Sequence, residues 1–69
     1  VLVDNNIKKL RTAADISQND LAKLCNVTRQ TINAIENNKY DPTLSLAFSI
    51  AHALNTGIDK VFNYNAKKN

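Results

Sequence analysis

A single glycine, Gly57, in a chain of 69 residues is the feature that most limits the folds open to it. Tight β-turns and hairpin loops draw on glycine for positive φ. A single proline, Pro42, adds little other turn chemistry. An all-β chain rich in tight turns is therefore excluded, and so is a glycine-rich phosphate loop. Short helices remain, and they raise a sharper question, because helices commonly end on a left-handed residue that is usually glycine. The chain carries eleven asparagines, and asparagine tolerates that conformation better than most other residues.

The length fits one domain, residues 1–69. A domain of this size buries only about 60% of the surface its unfolded chain exposes, so its core must be well packed or helped by self-association. Cys25 is the lone cysteine and cannot form an internal disulfide. No Cys/His cluster offers a metal site, and no cofactor is expected. Nine Lys and Arg against six Asp and Glu give a net charge of +3, which favours an acidic partner such as nucleic acid. No apolar run approaches the roughly 18 residues of a membrane span. The start, Val1-Leu2-Val3-Asp4, lacks the basic and apolar regions of a signal peptide, so a cytoplasmic location is expected. The absence of methionine leaves open whether residues precede Val1.

Apolar spacing marks the helices. Ile7, Leu10 and Ala14 form a short inward set, with Lys8, Lys9 and Arg11 on other faces. Ser17 reads as an N-cap with Asp20 in the capping-box position, followed by Leu21, Ala22 and Cys25 on a buried face. Thr28 is the next N-cap; Ile32 and Ile35 point inward, while Arg29, Gln30, Asn33 and Asn37 fall on one polar stripe. Thr43 caps a fourth helix, whose face is Leu44, Ala47, Ile50, Ala51 and Leu54. Gly57 opens a short fifth helix, Ile58 to Phe62. Val1 and Val3 near one end, and Phe62 and Tyr64 near the other, alternate in a way that suits a small antiparallel ribbon. Residues 1–5 and 63–69 therefore either pair or fray, and the tail from Ala66 to Asn69 is expected to fray.

Two short helices joined by a tight turn, the second with an exposed polar stripe, make a helix-turn-helix at about residues 17–37. Ala22 allows close approach where the helices cross, Val27 and Ile32 fill the angle between them, and the turn at Asn26 needs positive φ. Ser17-Gln18-x-x-Leu21-Ala22, Val27-Thr28-Arg29-Gln30-Thr31-Ile32, Ile35-Glu36-Asn37-x-Lys39 and Pro42-Thr43-Leu44 together resemble the lambda-repressor and Cro type of domain, the xenobiotic-response-element family. The resemblance spans about residues 6 to 62. It implies an all-α, five-helix fold, and the compact single-domain members imply a terminal ribbon. Where the family usually has glycine in the turn, after the third helix and after the fourth, this chain has Asn26, Asn38 and Asn55. Left-handed backbone is expected at all three.

The resemblance implies a sequence-specific regulator of transcription on double-stranded DNA. Its default mode is repression, as a homodimer on an inverted-repeat operator. RNA polymerase or a separate regulatory protein are further candidate partners. The alternative is an antitoxin or antirepressor that works mainly by binding protein. An enzyme is not expected, since the chain has no nucleophile–base pair, metal set or phosphate loop. Arg29, Gln30 and Asn33 are the candidates for base contact, because Arg suits guanine and Gln or Asn suit adenine. Gln18, Thr28, Asn37, Lys39 and Tyr40 are the candidates for phosphate contact. By the resemblance, Gln18 also braces Gln30. Glu36, the only glutamate, lies on the inner side of its helix and needs a partner, and the resemblance supplies Arg11. The dimer face implied by the family arrangement involves Leu54, Ile58, Val61 and Phe62. Leu46 and Phe48 look too apolar for full exposure and are expected against the ribbon or a second subunit. His52 reads as a surface or dimer-edge residue, and Cys25 as a small core residue.

Overall fold

The structure, a computed structural model, describes residues 3–64. In chain order it has β1 (Val3–Asn5), α1 (Ile7–Ala13), α2 (Gln18–Leu24), α3 (Arg29–Glu36), α4 (Leu44–Ala53), α5 (Ile58–Val61) and β2 (Phe62–Tyr64). None of these helices is long enough to be stable alone in water, so their ends and packing decide whether they form. Ser17 Oγ accepts from the Asp20 N–H at 3.0 Å while Asp20 Oδ2 accepts from the Ser17 N–H at 3.3 Å, a complete capping box. The Thr28 hydroxyl accepts from the Thr31 N–H at 3.2 Å, and the Thr43 hydroxyl from the Leu46 N–H, also at 3.2 Å.

The helix ends answer the question that the glycine count raised. Asn26, Asn38 and Asn55 stand at φ of 58°, 58° and 56°. Each sits just past its helix, and the same pair of bonds recurs around it. After α3, the Asn38 N–H reaches the Ile35 carbonyl at 3.1 Å and the Lys39 N–H reaches the Ala34 carbonyl at 2.9 Å. This is the Schellman arrangement, which satisfies carbonyls left over at a helix end. A fourth left-handed residue, Asp15 at φ 60°, ends α1 in the same way and was not expected from the sequence. Gly57, by contrast, has φ −76°, ordinary backbone for any residue. A Cβ there would meet Asp59 Oδ1 at 2.6 Å.

The core is made of Ile7, Leu21, Ala22, Ile32, Ile35, Ile50, Ala51, Leu54 and Val61, so all five helices contribute to it. Three expectations about packing need correction. Leu44 is 70% exposed, because as the first residue of α4 it projects beyond the elements that cover Ala47 and Ile50. Ala14 is exposed too, since the helix has already ended at Ala13 and Ala14 is its C-cap. The fifth helix stops at Val61, and Phe62 turns extended at φ −121° to begin β2. Leu46 packs partly against the core, whereas Phe48 stands 55% exposed.

β1 and β2 pair antiparallel, with Val3 opposite Tyr64, Asp4 opposite Asn63 and Asn5 opposite Phe62. The expected pairing of Val1 and fraying of the tail lie outside the described residues. Two asparagines fasten the ribbon to the helices. The Asn6 N–H donates to the Val61 carbonyl at 2.8 Å and its Nδ2 to the Lys60 carbonyl at 3.2 Å. The Asn5 Nδ2 crosses to the Ile35 carbonyl at 2.8 Å.

Candidate nucleic-acid interface

The two sides of α3 differ completely in environment. Ile32 and Ile35 are 0% and 1% exposed, while Arg29, Gln30 and Asn33 are open to solvent and line one shallow depression. Spacings of one, three and four bring the three polar side chains onto the outer face, and the buried isoleucines fix the helix by its inner face. Arg, Gln and Asn together offer several N–H donors and two carbonyl acceptors on one exposed helix face, the chemistry that reads base edges.

Beside this depression lies a second hollow lined by Arg11, Ser17, Gln18, Asn19 and Arg29. Of these, Arg11 donates through Nε to Glu36 Oε2 at 2.8 Å and through Nη2 to Glu36 Oε1 at 3.3 Å, while Nη1 donates to the Ile16 carbonyl at 3.0 Å. The side chains are only 13% and 5% exposed, so the two charges tie α1 to α3 largely out of water. Gln18 Nε2 donates to the same Glu36 Oε1 at 3.1 Å, and Gln18 Oε1 accepts from Arg29 Nε at 3.4 Å. The chain of contacts therefore runs Arg11, Glu36, Gln18, Arg29. Gln18 accepts a hydrogen bond from Arg29 and makes none with Gln30, the residue that the resemblance has it brace. The reason is local: Glu36 occupies the Gln18 amide nitrogen, which turns its oxygen toward the arginine.

The other candidate residues differ in how free they are. The Thr28 hydroxyl caps α3 and lies 3.0 Å from the Thr31 hydroxyl. Asn37 folds back, with Nδ2 donating to the Asn33 carbonyl at 2.9 Å and to Asn33 Oδ1 at 3.2 Å, so Asn33 is partly committed inside its own helix. Lys39 and Tyr40 stand exposed just past the helix end. Leu54 and Val61 are 8% and 0% exposed within one chain, so they serve its core and offer almost no surface to a partner. Ile58 and Phe62 are half-buried and line an apolar groove with Val3, Pro42, Leu44 and Tyr64. His52 is exposed. Burial pushes the Cys25 thiol above its ordinary value.

Among the described residues no group of three or more His, Cys, Asp or Glu side chains is arranged to hold a metal ion, and no helix is long and apolar enough to cross a membrane. Two helices packed across a left-handed asparagine turn, the second showing a polar reading face, define a helix-turn-helix DNA-binding module. Comparison with known proteins gives the same class. The helix-turn-helix family model HTH_3 matches residues 7–61. An uncharacterized HTH-type transcriptional regulator of Methanocaldococcus jannaschii is 48% identical over 60 residues, covering 87% of this chain and 91% of the relative. The control protein C.SmaI of Serratia marcescens is 29% identical over 68 residues, covering 99% of this chain and 81% of that one. Among solved structures, the restriction-modification controller protein C.AhdI from Aeromonas hydrophila superposes with a TM-score of 0.76 at 27% identity, over 80% of this chain and 83% of that one. The chain belongs to the HTH_3 family: it is a DNA-binding transcriptional regulator of the helix-turn-helix type.

Proposed function

We propose that this regulator represses transcription by binding an inverted-repeat operator as a homodimer, with α3 of each copy in the major groove. The observation that carries the proposal is the contrast across α3: an exposed Arg29, Gln30 and Asn33 on a helix whose Ile32 and Ile35 are wholly buried. Arg29 and Gln30 read bases, with Arg29 steadied by Gln18 and therefore presented in a narrowed range of directions. Asn33, shared with Asn37, takes a lesser part in base reading. Gln18, Thr28, Asn37, Lys39 and Tyr40 fix the helix against phosphates; for Gln18, whose amide nitrogen is taken by Glu36, the contribution is chiefly indirect. Arg11 is neutralised by Glu36, so it does not count among the charges facing DNA.

A single α3 reads too few base pairs for specificity, and a two-fold pair spaced about 34 Å apart doubles the readout. The dimer face is the apolar surface of Ile58 and Phe62, extended by Leu44, Phe48 and Tyr64, which are 70%, 55% and 64% exposed. Leu54 and Val61 support that face from beneath. Repression follows from occupancy, the dimer covering DNA that RNA polymerase needs. The likeness to C.AhdI, named as a restriction-modification controller protein, and to C.SmaI, named as a control protein, supports a role in control of gene expression.

The test is a gel-shift on DNA from upstream of the protein's own gene. Gln30→Ala is expected to abolish preference for the operator over scrambled DNA while leaving weak, salt-sensitive binding. Lys39→Ala is expected to weaken binding to all sequences alike and to lower the salt slope by about one. If Gln30→Ala keeps full operator preference, the reading of α3 is wrong.

A further inference from the structure

Asn5 lies in the terminal ribbon, outside the DNA-facing set, yet its carboxamide reaches the end of the reading helix. Its Nδ2 donates to the Ile35 carbonyl at 2.8 Å and to Asn38 Oδ1 at 3.3 Å. Its Oδ1 accepts from the Ile7 N–H at 3.2 Å. The partners fix the orientation of the amide, because a backbone N–H faces the oxygen and a backbone carbonyl faces the nitrogen. The Ile35 carbonyl belongs to the last turn of α3 and also takes the Asn38 N–H at 3.1 Å. Asn5 thus supplies a further donor to that carbonyl at the left-handed step by which the chain leaves α3. Asparagine holds a left-handed step less firmly than glycine does, so a tie from outside the helix has more to do here. Asn6, next in the chain, is fastened to the Val61 and Lys60 carbonyls, which holds the anchor itself in place.

We propose that Asn5 is a positioning residue for DNA binding: from β1 it holds the end of α3 and so sets where Lys39 and Tyr40 meet the phosphates. The proposal rests on the phosphate reading of those two residues given above. Its partners lie 30 and 33 residues away, so the tie does not arise from local helix-capping. It also makes Asn38 more than a substitute for glycine, since its side chain is one of the two acceptors.

The variant that isolates the tie is Asn5→Asp. A carboxylate still accepts from the Ile7 N–H, at a helix start that favours negative charge, but it has no donor for Ile35 or Asn38. Hydrogen exchange of the Asn38 and Lys39 amides, read by NMR on the full chain without DNA, is expected to quicken by about tenfold. Operator affinity is expected to fall about tenfold in the parent and by no more than about twofold in a background carrying both Lys39→Ala and Tyr40→Ala, because contacts already removed cannot be misplaced. If Asn5→Asp folds poorly, it is placed in the Asn38→Gly background, where the left-handed step carries no Cβ and the Ile35 carbonyl is the one acceptor the substitution deprives, and the Lys39 amide is expected to respond in the same direction. Unchanged exchange at both amides overturns the proposal. So does an equal loss of affinity in both backgrounds, which would mark a plain effect of the added charge. If the background carrying Lys39→Ala and Tyr40→Ala binds like the parent, the phosphate reading fails instead, and the exchange rates alone then decide whether Asn5 holds the helix end.

Discussion

Removing Glu36 tests the electrostatic joint between α1 and α3 most directly. Glu36→Ala takes one acceptor from Arg11 Nε, one from Nη2 and one from Gln18 Nε2 in a single step. Arg11 keeps the Ile16 carbonyl but remains a charge whose side chain is only 13% exposed. Breaking a buried pair from one side costs roughly 3–5 kcal/mol. The partial exposure of Arg11 lets water repair some of that, so the lower end, about 3 kcal/mol, is expected here. A 69-residue domain has roughly 3–10 kcal/mol of stability in all, so this loss is a large part of it. Glu36→Gln keeps the volume and one acceptor and loses the charge, for about 2 kcal/mol. The double variant Arg11→Met, Glu36→Leu leaves no charge to strand, and Gln18, half-exposed, turns to water; it is expected within about 1 kcal/mol of the parent. Urea unfolding followed by far-UV circular dichroism reads all three, and with a slope near 1 kcal/mol/M the Glu36→Ala midpoint should fall by about 3 M. A loss under about 1 kcal/mol for Glu36→Ala, or a double variant as unstable as that single one, would refute the argument that a stranded charge dominates.

The remaining expectations concern helix ends, the thiol and the apolar face. Asp15→Gly relieves a non-glycine residue at φ 60° and should stabilise by about 0.5–1 kcal/mol, seen as a higher Tm; a lower Tm would mean the Asp15 side chain contributes something that its backbone does not reveal. Burial raises the Cys25 pKa above its ordinary 9.0, so alkylation of the native protein near neutral pH should run slower than for a free thiol and match it after unfolding; equal rates before unfolding would contradict the burial. The sign of the linked effect follows, since above 9.0 the unfolded thiol ionises before the folded one. That contribution to stability is therefore lost as pH rises, and Cys25→Ala should remove it. Phe48→Lys places a charge on the exposed apolar face and should shift the protein toward monomer in sedimentation; a parent that is already monomeric at the concentrations used for DNA binding would end the dimer reading.

What the sequence made legible was mostly local chemistry. Ser17, Thr28 and Thr43 announce their helices because a hydroxyl or carboxylate acts within three residues of its own position. Asn26, Asn38 and Asn55 were legible through the family spacing, which marks where a left-handed step is needed. Asp15 was not, because aspartate is also at home in caps and loops, and nothing local separates those uses. Leu44 misled for the opposite reason: periodicity gives the face of a helix but not the length of the surface covering it. Leu54 and Val61 show a third limit, since an apolar residue that closes a chain's own core and one that meets a second chain look alike in sequence.

The reading face divides along the same line. That Arg29, Gln30 and Asn33 share the exposed side of α3 is set by helical spacing and was readable; the bracing of that side is set by contacts between separate elements and was not. Glu36 takes the Gln18 amide, and that choice turns Gln18 toward Arg29 instead of the following residue. The ion pair that joins α1 to α3 therefore also sets the direction in which the guanidinium is offered. At the other end of α3, Asn5 acts on the Ile35 carbonyl from the ribbon. A helix of eight residues is thus held near both ends by side chains from elsewhere in the chain, at Arg29 and at Ile35. Such a short helix has too few hydrogen bonds of its own to keep its ends from fraying. Under the proposed reading, these outside ties supply the rigidity that base reading at one end and phosphate contact at the other both require.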